Sequence, residues 1–190
     1  MTYLSHRGAP VVWLSGAFVY LTLEAVAAVA YRPRYSYVHN FISDLGVPGI
    51  HSPLAWLMNI GFCVQGSLFF AGAAAVSRTG PFLACAAANG VGNVLIAIFH
   101  SGSAMHAVGA VMAIVGGNAA ILAGSSIIGG WHRRVSIGLG VLGLLSFVLF
   151  VIDLKTAVLP IGVLERCSVY SITGWQLLTG ARLFRAVGRS

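Results

Sequence analysis

Charged residues are scarce in this chain, and acidic residues are the scarcest of all. Only 8% of the 190 residues are charged, with four Asp or Glu, whereas 58% are hydrophobic. The mean hydropathy is +0.90. A soluble domain is about 25% charged, so this sequence cannot form an ordinary water-facing surface. Its apolar surface requires lipid, and we therefore expect a multi-pass protein of the cell membrane.

Metal-binding and nucleic-acid-binding patterns are also missing. The three cysteines, Cys63, Cys85 and Cys167, each lie in an apolar run, and no CxxC or zinc-type spacing occurs. We interpret them as small buried hydrophobic residues. The sequence pI of about 9.9 would suit nucleic acid, but the basic residues lie at helix ends and form no patch interleaved with aromatics. We interpret them as topology signals and expect no nucleic-acid partner.

Six apolar segments are long enough to cross a bilayer, since a spanning helix needs about 20 mostly apolar residues. The sequence therefore predicts an all-α polytopic membrane protein, with six transmembrane helices in a single domain over residues 1–190. One connection is long, the loop of residues 32–52, and its aromatic residues indicate that it packs over the helix ends. The predicted helices cover residues 10–31, 53–76, 81–100, 104–128, 135–154 and 161–181.

The basic residues predict the orientation of the chain. With the N-terminus inside, seven of them lie on the inner side: Arg7, Arg78, Arg133, Arg134, Arg182, Arg185 and Arg189. Four lie outside: Arg32, Arg34, Lys155 and Arg166. The excess inside favours an N-in/C-in topology with the long loop on the extracytoplasmic side. All four acidic residues fall on that outer side: Glu24, Asp44, Asp153 and Glu165.

Glu24 is the most informative single residue. It lies about seven residues before the predicted outer end of helix one, which is roughly 10 Å deep at the helical rise. An ionisable group at that depth is costly and suggests a function. The alternatives are a structural ion pair with Arg32 or Arg34, or a carboxylate that reaches the interface.

Helix three carries a polar stripe. Asn89, Asn93 and His100 are separated by four, seven and eleven residues, which places them on one helical face. That face must contact protein or water rather than lipid. His106 follows the next turn, so the two imidazoles could converge, and Asn59 on helix two lies in the outer half as well. The stripe indicates either a site or hydrogen bonds between helices.

The long loop places His39, Ser43 and Asp44 close together in sequence. A Ser-Asp pair near a glycine is also typical of turn and cap chemistry. Near the last outer loop, Glu165 and Arg166 are adjacent, as in an interfacial ion pair, although Glu165 could point inward. The same interpretation applies to Asp153 and Lys155.

The predicted outer half thus combines carboxylates with imidazoles. Such groups in a partly desolvated cavity are suited to acid–base chemistry. Three histidines and a carboxylate would also suit zinc. The spacing of His100 and His106 is not a recognised metal signature, however, so no metal site is predicted and the cofactor is left open. The residues concerned are Glu24, His39, Asp44, His100, His106 and Glu165.

The loop sequence YSYVHNFISDLG, residues 35–46, resembles the signature of the domain of unknown function 998 family. That family has a Y-S-H-x-x-N-x-I-S-D/E-L-G type loop after its first span, and Tyr37 stands here in place of its first His. The segments GNVLIAIFHSGSAMHAVGA and ERCSVYSITGWQLL are similar to later parts of the family. The resemblance covers most of the chain, implies a six-helix fold and draws attention to Asn40, Ser43 and Asp44. It implies no particular activity.

The sequence favours a membrane enzyme that acts on a lipid or isoprenoid-like substrate, by hydrolysis or by a protonation-driven rearrangement or cyclisation. The rival is a non-enzymatic carrier, lipid-binding protein or assembly partner whose polar groups hold the helices together. A membrane lipid or lipid-like molecule is the expected partner, and a homo-oligomer is left open. The predicted catalytic residues are Glu24, Asp44, His100 and His106. The predicted substrate-binding residues are His39, Asn40, Ser43, Asn59, Asn93 and Glu165.

Overall fold

The computed structural model describes residues 5–77, 80–156 and 158–187, which form six α-helices joined by one long loop and short turns. The all-α prediction is confirmed. Five helices, α1 to α5, are long and apolar enough to cross a membrane. The helices are α1 Ser5–Ala30, α2 Ala55–Val76, α3 Gly80–Ile98, α4 Ala104–Ala123, α5 Trp131–Thr156 and α6 Ile161–Val187, and a 3₁₀ helix covers Ile42–Gly46 in the loop.

The turn between α3 and α4 corrects one prediction. Helix α3 ends at Ile98, so His100 lies in the turn, where its side chain is exposed, and not on the helical face that carries the asparagines. Gly102 adopts φ +96° in this turn, which suits a residue without a side chain. The Ser103 hydroxyl then accepts the His106 N–H at 3.1 Å and caps α4.

The other helix boundaries differ from the predicted ones by up to six residues. Helix α4 stops at Ala123, before the predicted end at 128, because the chain turns at Gly124 and the serines after it. Helices α5 and α6 are longer than predicted, since backbone hydrogen bonding continues into polar ends. An apolar run in the sequence shows only the apolar part of a helix. The backbone hydrogen bonds determine where the helix begins and ends, and they can extend into polar residues.

The helices pack in chain order, and α6 closes the ring by contacting α1 and also α4. Close approach between the helices depends on glycine, because a residue without a side chain lets two backbones come into contact. A Cβ built on Gly92 of α3 would lie 2.3 Å from the Ala113 backbone nitrogen of α4, and one on Gly116 would lie 2.9 Å from the Cys85 carbonyl oxygen. These glycines therefore serve contacts within the chain.

Helix α6 is the polar helix of the bundle, and it is not among the five apolar ones. Its polar side chains are buried against α1, α4 and α5, and one of them also forms a hydrogen bond with α2. For example, Gln176 Oε1 accepts Gln65 Nε2 at 2.7 Å, and the Ser168 carbonyl accepts Asn118 Nδ2 at 3.0 Å. The buried polar and charged residues of α6 are Glu165, Arg166, Ser168, Ser171, Thr173, Gln176 and Thr179.

The long loop folds over one end of the bundle, which we call the loop end. Ile42 and Leu45 of the 3₁₀ helix are fully buried there. The Leu45 carbonyl accepts the Ser52 hydroxyl at 2.6 Å, and the Gly46 carbonyl accepts Asn59 Nδ2 at 3.0 Å. The loop is therefore an ordered cap on the helix ends, as its composition predicts.

Candidate functional site

Glu24 and Arg166 form a buried ion pair at the loop end. Glu24 is 2% exposed and Arg166 is 6% exposed. Their closest oxygen and nitrogen, Oε1 and Nη2, are 3.6 Å apart, and the Tyr170 hydroxyl donates to the same Oε1 at 2.8 Å. Glu24 therefore forms an ion pair, as one alternative held, but its partner is Arg166 rather than Arg32 or Arg34.

The guanidinium of Arg166 also holds the loop. Its Nη1 donates to the carbonyls of Tyr37 at 2.9 Å, Asn40 at 3.0 Å and Gly162 at 3.0 Å. Its Nη2 donates to the Tyr35 hydroxyl. The guanidinium carbon, Cζ, lies 4.7 Å from the ring centroid of Tyr37 and 5.3 Å from that of Tyr35. Charge-assisted hydrogen bonds and cation–π contacts together therefore fasten the loop to α6.

Glu165, by contrast, has no cationic partner within the described part of the chain. It is 8% exposed, and its Oε2 accepts the Ile42 backbone N–H at 2.5 Å. The prediction of an interfacial ion pair between Glu165 and Arg166 is wrong: both side chains are buried, and Arg166 pairs with Glu24. Glu165 and Arg166 thus bind the loop from adjacent positions on α6, one as acceptor and one as donor.

The motif-like residues of the loop stabilise its own backbone. Asn40 Oδ1 accepts the Ser36 N–H at 2.8 Å, and Asp44 Oδ2 accepts the Phe41 N–H at 2.9 Å, which caps the 3₁₀ helix. This is the turn and cap chemistry that the sequence analysis weighed against a site. Burial raises the pKa of the Asp44 carboxyl, and the hydrogen bond from Phe41 partly offsets that rise.

A cavity of about 50 Å³ lies between α1, α2, α3, α4 and α6, with Ile42 and Ser43 of the loop on its wall. Half of the sixteen residues that line it are apolar, and the other half carry a polar group. It has room for a few water molecules or for a small polar group. The polar residues that line it are Tyr20, Ser43, Gln65, Asn89, Asn93, His106, Glu165 and Thr173.

Four of these lining residues carry a buried polar atom without a hydrogen-bond partner among the described residues. Buried polar atoms in proteins are nearly always paired, since leaving one unpaired costs about 1–3 kcal/mol. Four such atoms around one cavity indicate that the cavity suits a polar occupant, either water or a small polar group. The atoms are the Tyr20 hydroxyl oxygen, Gln65 Oε1, Asn89 Oδ1 and Thr173 Oγ1.

Of the four predicted catalytic residues, only His106 lines this cavity. Its Nδ1 lies 2.8 Å from the Phe99 carbonyl, which can only accept, so Nδ1 carries a proton and donates it to that carbonyl. Glu24 is engaged by Arg166, Asp44 caps the 3₁₀ helix, and His100 is exposed in its turn. The structure therefore does not bring the four together on this cavity.

The predicted substrate-binding residues divide into two groups. Ser43, Asn93 and Glu165 line the cavity. His39 is exposed, whereas the Asn40 and Asn59 side chains hold the loop.

Tyr20, Gln65 and Thr173 were missed by the sequence analysis. Each is a polar residue inside an otherwise apolar or buried stretch, so the argument applied to helix three, that such a group must face protein or water, would have found them. Within residues 5–77, 80–156 and 158–187, no three His, Cys, Asp or Glu side chains group in a way that could hold a metal ion.

The fold and the cavity define a helical membrane-type protein with a polar site beneath an ordered loop. A family model described as a protein of unknown function, DUF998, matches residues 14–182. The chain belongs to this family, as its loop signature indicated. No curated protein and no solved structure matches the chain.

Proposed function

We propose that the protein binds the polar end of a lipid or lipid-like small molecule in the loop-end cavity. The observation that carries this proposal is the set of four unpaired polar atoms on the cavity wall. Because a cavity of about 50 Å³ accommodates only a small polar group, the apolar remainder of the ligand would lie outside it. His106, Ala110 and Val169 are only half-buried, so the cavity approaches the surface on the side of α4 and α6.

The proposed orientation is N-in/C-in, with α6 as a sixth crossing and the loop end on the extracytoplasmic face. Helix α6 contains 27 residues, enough to cross, and its polar residues face protein rather than lipid. The predicted inner residues Arg78 and Arg189 lie outside the described residues, as does the side chain of Arg7. The described basic residues at the opposite end are Arg133, Arg134, Arg182 and Arg185.

A cavity-filling substitution tests the binding proposal. Ala110 lines the cavity, so Ala110→Leu should fill part of it and deplete the lipid-like ligand that copurifies with the protein. The matched control is Ala107→Leu, one turn earlier on α4, at an exposed position that should tolerate the larger side chain. The measurement is native mass spectrometry of both variants purified from the same membranes. Equal ligand content in Ala110→Leu and Ala107→Leu would contradict the proposal.

An enzymatic function is the second candidate, and a specific observation favours it. Glu165, His106 and Ser43 line the same cavity, so a carboxyl, an imidazole and a hydroxyl share its wall. An acid–base pair of that kind would suit hydrolysis or a protonation-driven rearrangement or cyclisation of a lipid or isoprenoid-like substrate. On this view, Glu165 replaces Glu24 and Asp44 as the acid or base, and His106 keeps its predicted catalytic role without His100. Conversion of a bound lipid by wild-type protein and its loss in His106→Gln, with binding retained, would distinguish an enzyme from a carrier.

A further inference from the structure

A second pocket lies at the loop end, where α1 ends and the long loop begins. It has a volume of about 270 Å³ and is lined by the last residues of α1 and the first residues of the loop. None of its lining residues lines the cavity described above. Arg32 and Arg34 both line it and are exposed, so we call it the arginine pocket.

The arginine pocket is positively charged. No acidic side chain is among the described residues that line it. Glu24 lies one turn before the pocket on α1, but it is buried and paired with Arg166. Asp44 caps the 3₁₀ helix and does not line the pocket. The guanidinium charges of Arg32 and Arg34 are therefore uncompensated within the pocket, which suits an anionic group.

The pocket also offers free hydrogen-bond donors. Arg32 Nη1 donates to the carbonyls of Val29 at 3.4 Å and Tyr31 at 3.3 Å, and thereby covers the negative end of the α1 dipole, which would otherwise repel an anion. The remaining donors of Arg32, the whole guanidinium of Arg34 and the hydroxyls of Tyr31 and Tyr37 have no partner among the described residues. All four of these side chains belong to residues that line the pocket.

Both arginines can reach the same anion. Arg32 and Arg34 are two positions apart, so their Cα atoms are at most about 7 Å apart. Their side chains are long and exposed, and that of Arg34 is not fixed by any described contact. A guanidinium binds two phosphate oxygens with parallel hydrogen bonds, and a phosphate has enough oxygens for two guanidiniums. The arginine pair is therefore suited to a phosphate group.

An apolar helical face leads away from the pocket. Val29 lines the pocket and is 82% exposed, and Val26 and Phe18, three and eleven residues earlier, are exposed on the same face of α1. Because α1 is apolar enough to cross a membrane, this face is suited to contact acyl chains. Tyrosines at the polar end of such a face, here Tyr31 and Tyr37, are typical of the membrane–water interface.

We propose that the arginine pocket binds the phosphate group of an anionic lipid, with Arg32 and Arg34 on the phosphate and the acyl chains along the exposed face of α1. Basic pockets at membrane surfaces recognise lipid headgroups in this way. The pocket is a second binding site, so this inference and the proposed function of the cavity can each fail without the other. A soluble phosphate compound shares the chemistry of the phosphate but makes no use of the apolar face.

The test measures hydrogen exchange of residues 34–37 in the full-length protein in neutral detergent micelles. A bound lipid should slow exchange there, because it restrains the local opening of the backbone. Phosphatidylglycerol should slow it at lower concentration than phosphatidylcholine, whose choline offsets the charge of the phosphate. Glycerol 3-phosphate should have little effect at the same concentration, since it has no acyl chains.

Two double variants provide matched controls. Arg32→Gln with Arg34→Gln should weaken phosphatidylglycerol binding at residues 34–37 by at least about tenfold, because it removes both charge-assisted contacts. Arg182→Gln with Arg185→Gln removes the same charge from exposed residues at the opposite end of the bundle, and it should leave this binding unchanged. Arg34→Gln alone should also weaken binding, and it breaks no described contact on which folding depends.

Three results would overturn this inference. The first is equal slowing by phosphatidylglycerol and phosphatidylcholine in wild-type protein, which would show that the pocket does not recognise an anion. The second is an equal loss of binding in the two double variants, or no loss in Arg34→Gln, which would show that Arg32 and Arg34 form no site of their own. The third is equal slowing by glycerol 3-phosphate and phosphatidylglycerol, which would assign the pocket to a soluble phosphate compound and not to a lipid.

Discussion

Arg166 is the residue whose loss should most disturb the loop end. Replacing it with methionine keeps the aliphatic stem but removes the guanidinium that pairs with Glu24 and donates to the carbonyls of Tyr37 and Asn40. Removing one partner of a buried ion pair costs about 3–5 kcal/mol, because the other charge stays buried without compensation. We therefore expect Arg166→Met to lower the free energy of unfolding by about 3–5 kcal/mol.

The control for this variant is Arg182→Met on the same helix. Arg182 is exposed, and its guanidinium carbon lies 5.2 Å from the Trp131 ring centroid, a contact worth about 0.5–1 kcal/mol. The double variant Glu24→Gln with Arg166→Met removes both charges, so it should be more stable than Arg166→Met alone by about 1 kcal/mol or more. Equilibrium unfolding in mixed micelles gives the free energies, and hydrogen exchange of residues 35–42 reports whether the loop detaches.

Two results would refute this account of the pair. The first is a cost for Arg166→Met within about 1 kcal/mol of that for Arg182→Met, which would mean that the buried guanidinium stabilises little. The second is a double variant less stable than Arg166→Met alone, which would mean that Glu24 is not the group left uncompensated.

Three further predictions concern the packing and the loop. Gly92→Ala should destabilise the protein, because the new Cβ would lie 2.3 Å from the Ala113 nitrogen, whereas Gly138→Ala, with nothing within 4 Å, should be neutral or slightly stabilising in the same unfolding assay. Gly162→Ala should loosen the loop, because its Cβ would lie within 3 Å of the loop backbone, and faster proteolysis of the loop would show it. Burial raises the pKa of Asp44 above its ordinary 3.8, so the folded loop binds this proton more tightly than the unfolded chain does. The protonated Asp44 carboxyl should therefore add to the free energy of unfolding at low pH, and this contribution should fade as the pH rises above about 4. In Asp44→Asn the free energy of unfolding should decline less over the same pH range.

The apolar segments of the sequence predicted the fold because lipid imposes a simple rule. A run of about 20 apolar residues without charge has to become a helix, and five of the six helices follow this rule. The rule describes α6 poorly, because this helix contains many polar and charged residues. The other helices bury those residues, and the composition of α6 alone does not reveal that burial. The end of α3 was misplaced for a related reason, because Phe99 continues the apolar run while Gly102 turns the chain.

Partners across the bundle could not be predicted from sequence spacing. Arg166 lies next to Glu165 in sequence, yet successive residues on a helix point in different directions, about 100° apart. One therefore contacts Glu24, which is 142 positions away in the chain, and the other contacts Ile42. The prediction that Asn89 and Asn93 face protein or water is confirmed, since both are buried in the bundle, and it rested on a helical period that is visible in the sequence. Which helix it faces depends on glycine contacts that no local pattern reveals.

The most direct test of the binding proposal is an experimental structure of the protein purified in its native lipids. We predict density within hydrogen-bonding distance of Asn89 Oδ1 and the Glu165 carboxyl, continuous with a chain that leaves the cavity on the side of α4 and α6. In Ala110→Leu the same density should be weaker or absent. A cavity that holds only separate, water-sized peaks in wild-type protein, unchanged in Ala107→Leu, would contradict a lipid-like ligand and indicate that these polar groups serve the packing of the helices alone.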